Sequence, residues 1–173
     1  MRDPSSAAMA PLIRQVSPAP DPATAFEGLL DQLDPFFLDG GRDFSGQGRY
    51  SFIGCNPFAM LRSKNGAIHS WEDGTGSTLH EGNPFDVLGE LLERYRVPRC
   101  PGPVPFMGGA VGYFSYDLCH HVERLPRTAI DDLDFPDLAI AFYDAILAID
   151  SLEDTAYVIA PALPGRPPAE ERA

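Results

Sequence analysis

The spacing of apolar side chains changes period several times along this chain, and each change marks an element. Between Asp21 and Pro35, Phe26, Leu29, Leu30 and Leu33 recur at i, i+3, i+4 and i+7, which predicts a short amphipathic helix. Asp21 is placed to cap it, and Pro22 to fill its first position, where a missing N–H costs nothing. Pro35 ends that helix and Phe36-Phe37-Leu38 opens a strand, followed by a second at Arg49–Gly54. Phe58–Ser63 then runs back against Ala67–Trp71 across Lys64-Asn65-Gly66. Asn-Gly accepts positive φ at both central positions of a type I′ turn, so a hairpin is predicted. After Asn83 and Pro84, Phe85, Leu88, Leu91, Leu92 and Tyr95 form the stripe of a second helix, and four prolines between Pro98 and Pro105 break the chain.

Further strands are predicted at Leu12–Val16, Gly109–Tyr116 and Ala156–Ala160, with an acidic loop over Glu123–Pro136. Leu138–Asp150, LAIAFYDAILAID, is apolar on both alternating sets, which suits a strand buried on two faces, although a helix fits the same pattern. Asp144 interrupts the set of Ile140, Phe142 and Ile146, so a bulge or a polar partner has to accommodate it. These elements give an α+β fold of largely antiparallel strands with two helices. Residues 1–20 form a proline-punctuated lead-in, 21–163 the folded domain and 164–173 a linker-like tail.

Composition narrows the function classes. The chain has 173 residues, 44% of them apolar, enough for a real core. Its net charge is −12, and Asp117 to Asp154 holds ten acids against Arg124 and Arg127. Such a surface repels phosphate backbones and anionic lipid, which argues against nucleic-acid and membrane-surface binding. Cys55, Cys100 and Cys119 are odd in number and widely spaced, as expected of reduced thiols. The first residues lack the continuous apolar core of a secretory signal, and no run of about 18 apolar residues could span a bilayer. A cytoplasmic location is expected.

Candidate chemistry is sparse. GGAVGY resembles a dinucleotide fingerprint, but PGPVPF precedes it and the β-prone YFSY follows, so no helix N-terminus is offered to a pyrophosphate. Gly108, Gly109 and Gly112 therefore read as backbone sterics, a turn and a close approach, expected here toward a partner sheet. There is no G-x-S-x-G elbow. His69, His80, His120 and His121 sit in hairpin or loop contexts, and neighbours on a strand such as Cys119, His120 and His121 could not jointly close a tetrahedral zinc site. Lys64, the only lysine, flanks a turn where nothing is expected to desolvate it, and Asp131-Asp132 reads as solvated.

Longer motifs say more than these short ones. In order along Phe26–Pro164 stand Phe37-Leu38-Asp39, GRYSFIG with NPF after it, the second helix, PFMGGAVGYFSYD, ERLP at Glu123–Pro126, DDL and FYDAILAID. This series resembles the amino-terminal half of component I of the chorismate-amidating enzymes, aminodeoxychorismate synthase and its relative anthranilate synthase. GGAVGYFSYDL and AFYDAILAID look closer to the aminodeoxychorismate branch. The resemblance implies one part of an α/β/β/α layered scaffold with orthogonally packed sheets. It also implies a role in aminating chorismate with ammonia from a glutamine amidotransferase partner, with Mg²⁺ and the chorismate site in a carboxy-terminal half that this sequence does not contain. By the same resemblance Leu38, Asp39, Gly40, Gln47, Gly48, Arg49, Tyr50 and Ser51 would line a tryptophan pocket, with Gly40 where the family's serine offers a hydroxyl. No catalytic, cofactor-binding or metal-binding residue is assigned in this chain, which is expected to be inactive alone and to expose apolar surface. The alternatives are the N-terminal domain of anthranilate synthase component I, serving tryptophan biosynthesis, and a stand-alone aromatic amino-acid-binding module.

Overall fold

The computed structural model describes residues 10–41, 48–126, 128 and 130–166. They form two compact units, one built from the chain up to Asn56, Tyr95–Gly109 and the chain from Tyr143 onward, the other from Pro57–Arg94 and Ala110–Phe142.

The first unit is a five-stranded sheet in the order β1-β10-β9-β3-β2. Its strands are β1 (Leu12–Val16), β2 (Phe36–Asp39), β3 (Tyr50–Gly54), β9 (Ile146–Asp150) and β10 (Thr155–Ala160), each antiparallel to its neighbours. Ile53, Ile149 and Ala156 are buried on one face, where Phe26, Leu29, Phe37 and Leu147 close over them. Burying an isoleucine such as Ile53 or Ile149 stabilises the fold by roughly 1.5–3 kcal/mol. The helix α1 (Pro22–Glu27) supplies Phe26, whose ring stacks on Phe37 at 5.2 Å. Asp21 caps α1, its Oδ1 accepting from the Thr24 N–H at 2.9 Å.

The second unit holds β4 (Ala59–Lys64), β5 (Ala67–Glu72), β6 (Gly76–His80), β7 (Gly109–Phe114) and β8 (Leu138–Tyr143) in the order β6-β5-β4-β8-β7. β4 and β5 pair from Ala59↔Glu72 to Lys64↔Ala67, with Asn65 at φ 50° and Gly66 at φ 85° in the turn. This is the hairpin the sequence predicts. Leu61, Ile68 and Leu138 are fully buried. The helix α2 (Pro84–Arg94) buries Pro84, Val87, Leu88 and Leu91, and Arg94 ties its last turn to Glu72 at 2.7 Å.

The structure revises several expectations. Gly28 closes α1 after six residues, its N–H reaching Thr24 and Phe26 carbonyls, so Leu30 and Leu33 are 57% and 52% exposed rather than on a buried face. The buried stripe of α2 includes Val87 but leaves Phe85 and Leu92 partly exposed. Leu138–Asp150 is not one strand. It is β8 of the second sheet and β9 of the first, and Asp144 at the break takes Arg166 as its partner at 2.9 Å. The strand expected to reach Tyr116 stops at Phe114, and Tyr116–His121 winds into a 3-10 helix. The close approach at Gly112 is to the neighbouring strand of its own sheet, since an added Cβ would stand 1.9 Å from the Ala139 oxygen.

Candidate functional site

The residues expected to line a pocket lie on β2, β3 and the chain between them; Gln47 falls outside the described residues. The antiparallel register sets Asp39 opposite Ser51 and Leu38 opposite Phe52. Asp39 Oδ1 accepts from Ser51 Oγ at 2.8 Å and from the Gly41 N–H at 3.1 Å. Since alternate strand residues point to opposite faces, Asp39 and Ser51 share one face while Leu38, Tyr50 and Phe52 share the other. Gly40 passes close to the Tyr50 carbonyl and to Gly48.

Arg49 is engaged on its own account. Its Nε lies 2.9 Å from both Asp150 oxygens and its Nη2 lies 2.6 Å from Oδ2, a forked pair with Glu153 3.8 Å away. Asp150 also accepts from the Leu152 and Glu153 N–H groups, and Arg49 with these bonds holds its carboxyl below the usual range against the opposing cost of burial. Asp150 in turn pushes the Arg49 guanidinium up. The guanidinium lies over the Tyr50 ring at 4.9 Å; Tyr50 stacks on Phe52, and Phe52 meets Phe106 edge-on at 5.4 Å. The structure therefore brings Arg49 to Tyr50 and Asp39 to Ser51. It sets the two pairs on opposite faces of the sheet.

Asp150, Phe52 and Phe106 were not singled out from sequence. All three fall inside the quoted motifs, but Asp150 lies 101 residues from Arg49, and no local pattern links them.

A second cluster surrounds the turn of the other unit. Lys64 Nζ donates to Asp131 and to the Phe135 carbonyl at 2.7 Å, and stands 3.8 Å from both Asp134 and Asp137. The hydrogen bond it donates to Asp131 chiefly pushes the ammonium up, and Lys64 in turn lowers Asp131. Lys64 is thus half-buried among acids, not solvated as expected, and is held protonated. A cavity of about 590 Å³ opens beside it, lined in part by Ser115, Tyr116, Cys119, Leu133 and Phe135. Cys119, His120 and His121 belong to the 3-10 helix, so strand alternation does not govern them. Among the described residues no group of three or more His, Cys, Asp or Glu could hold a metal ion. His80 Nε2 lies 2.7 Å from Ser70 Oγ. No helix among the described residues is long and apolar enough to cross a membrane.

No family model matches the chain. It is 36% identical over 123 residues to anthranilate synthase component 1 of Acetivibrio thermocellus, covering 70% of this chain and 24% of that protein. The namesake proteins of Thermus thermophilus and Mycolicibacterium smegmatis are 33% and 32% identical, covering 88% of this chain and 31% and 30% of theirs. Among solved structures, anthranilate synthase component I from Streptococcus pneumoniae TIGR4 superposes with a TM-score of 0.56 at 24% identity, over 72% of this chain and 26% of that one. The two sheets and few helices thus form an α+β fold like that of this component I. The chain's homologues are anthranilate synthase component I proteins of the chorismate-utilising family, and it corresponds to their N-terminal part. It spans about a quarter to a third of the length of the curated relatives it matches.

Proposed function

We propose that this chain is the scaffold-forming N-terminal portion of a component I that aminates chorismate, and that it has no turnover by itself. The observation that carries this reading is sequence similarity over 70–88% of the chain to proteins three to four times its span. The chorismate site, the Mg²⁺ site and the contact with a glutamine amidotransferase are assigned to the portion this chain does not span or to the assembled enzyme. The names of the relatives favour anthranilate as product. GGAVGYFSYDL and AFYDAILAID favour aminodeoxychorismate, and with it folate rather than tryptophan synthesis, as a second reading.

The β2–β3 region is proposed as one wall of an aromatic amino-acid site. Tyr50 and Phe52 give the apolar surface, while the Arg49 fork is already satisfied by Asp150, so backbone amides near Gly40 and Gly48 are left to hold a ligand carboxylate.

The test is an ammonia-dependent chorismate assay on the chain alone, and on the chain co-expressed with the remaining portion of the Acetivibrio thermocellus protein. Turnover is expected only in the second case, with the product identified by its fluorescence. Turnover by the chain alone would overturn the reading. Calorimetry with tryptophan checks the pocket separately, and no heat at millimolar ligand would remove it.

A further inference from the structure

A cavity of about 700 Å³ opens in the first unit and shares no residue with the β2–β3 wall. Its lining comes from two places. Pro11 and Pro161 stand just outside Leu12 and Ala160, the paired ends of β1 and β10, and the chain over Val97–Gly108 supplies the facing residues. Gly108, at φ 115°, brings the two together, because an added Cβ there would stand 3.0 Å from the Pro161 ring. Met107 is set in a similar way, since a Cβ at Gly102 would collide with its sulfur. With Pro98 and Pro105 the lining holds four prolines, whose fixed φ keeps the walls stiff before any ligand arrives.

These walls are apolar except at one point. Val97, Val104 and Met107 line the cavity beside the prolines, and Arg99 is the one charged residue among the described lining residues. Arg99 is exposed and has no ion pair among the described residues. An acid-free lining runs against the trend of a chain of net charge −12, and the cavity beside Lys64 shows the contrast, with Asp117, Asp131, Asp132 and Asp137 around it. A stiff apolar cavity with a single cation at its wall fits a ligand with an apolar body and one negative charge. The guanidinium fork matches a carboxylate, and a thioether among apolar rings favours a flat aromatic body.

We propose that this cavity binds an aryl carboxylate of one or two rings, with the carboxylate on Arg99 and the ring against Val104 and Met107. The proposal goes beyond the component I reading and is independent of it, since it needs neither chorismate turnover nor a partner chain.

The probe is 2-naphthoate, titrated calorimetrically into the full chain, with neutral 2-naphthamide and saturated decahydro-2-naphthoate as controls. The amide should bind at least about tenfold more weakly for want of the charge, and the saturated acid about threefold more weakly for want of the sulfur–ring contact. Arg99→Gln should weaken binding of the acid about tenfold and leave the amide unchanged, and as an exposed position it should leave the fold intact. Cys100 gives a local readout that needs no variant. It is exposed and lines the cavity, so bound 2-naphthoate should slow its alkylation by iodoacetamide about fivefold, while Cys55 and Cys119, which lie outside the cavity, react as before. Peptide mass spectrometry separates the three thiols. Absence of binding at millimolar 2-naphthoate, equal affinity for the acid and either control, full affinity in Arg99→Gln, or Cys100 alkylated at its unliganded rate overturns the proposal.

Discussion

At Gly40 an added Cβ would stand 2.5 Å from the Tyr50 carbonyl oxygen and 3.2 Å from the Gly48 carbonyl carbon, backbone atoms that cannot swing aside. The glycine is therefore fitted to this chain's own turn. The hydroxyl that the sequence resemblance leads one to expect at this position could not be introduced here by simple substitution. Gly40→Ser is expected to destabilise the fold by about 1–3 kcal/mol, the usual cost of overpacking, and to leave calorimetric titration with tryptophan no stronger than in the wild type. A stable variant that gains tryptophan binding would show that the turn can open to admit the side chain. Asp39 is constrained in a related way, because Ser51 Oγ and the Gly41 N–H already use its Oδ1. An ammonium could approach only its other oxygen.

Lys64 shows how one side chain fixes a whole segment. Beside its bonds to Asp131 and the Phe135 carbonyl, Asn65 N–H donates to Asp137 at 2.8 Å and Asp137 N–H to the Ser63 carbonyl at 2.7 Å, so the acidic loop is clamped onto the β4–β5 turn. Lys64→Met should raise amide exchange over residues 131–137 by about tenfold, a local opening, while leaving β9 and β10 unchanged by hydrogen-exchange mass spectrometry. Equal exchange in both regions would mean the clamp adds nothing.

The sequence announced the turn but not the clamp. Asn65-Gly66 is a local signal, whereas Asp131 is 67 residues away and reads as one more acid in an acidic run. β6 escaped notice for another reason: Leu79 is the only large apolar residue of Gly76–His80, and it is 67% exposed, so no hydrophobic period marks the strand. The split between β8 and β9 was half legible. Asp144 flagged a discontinuity, but only the course of the backbone reveals that the two halves enter different sheets.

For the whole molecule, net charge and specific pairs pull stability in different directions with pH, which allows them to be separated. At neutral pH a net charge of −12 repels itself, and acidification toward the isoelectric point of about 4.5 relieves that strain. The pairs respond in the opposite sense. Asp150 and Asp131 are depressed in the folded state, so their stabilisation is complete above the unfolded carboxylate range and is lost as pH falls through their folded values. Lys64 is raised, so its contribution is present below the unfolded lysine range and is lost only as pH rises through its folded value. Urea unfolding should therefore show a plateau between about pH 5 and 9 and a steep decline below about pH 4, where the carboxylates take up protons. Asp150→Asn should lower the plateau by about 2 kcal/mol, the scale of charge-assisted hydrogen bonds to a buried group, and should make the acid decline shallower. An acid limb of unchanged slope in that variant would assign the decline to the remaining carboxylates, and would remove the Arg49–Asp150 fork as the source of the acid sensitivity of the β3–β9 pairing.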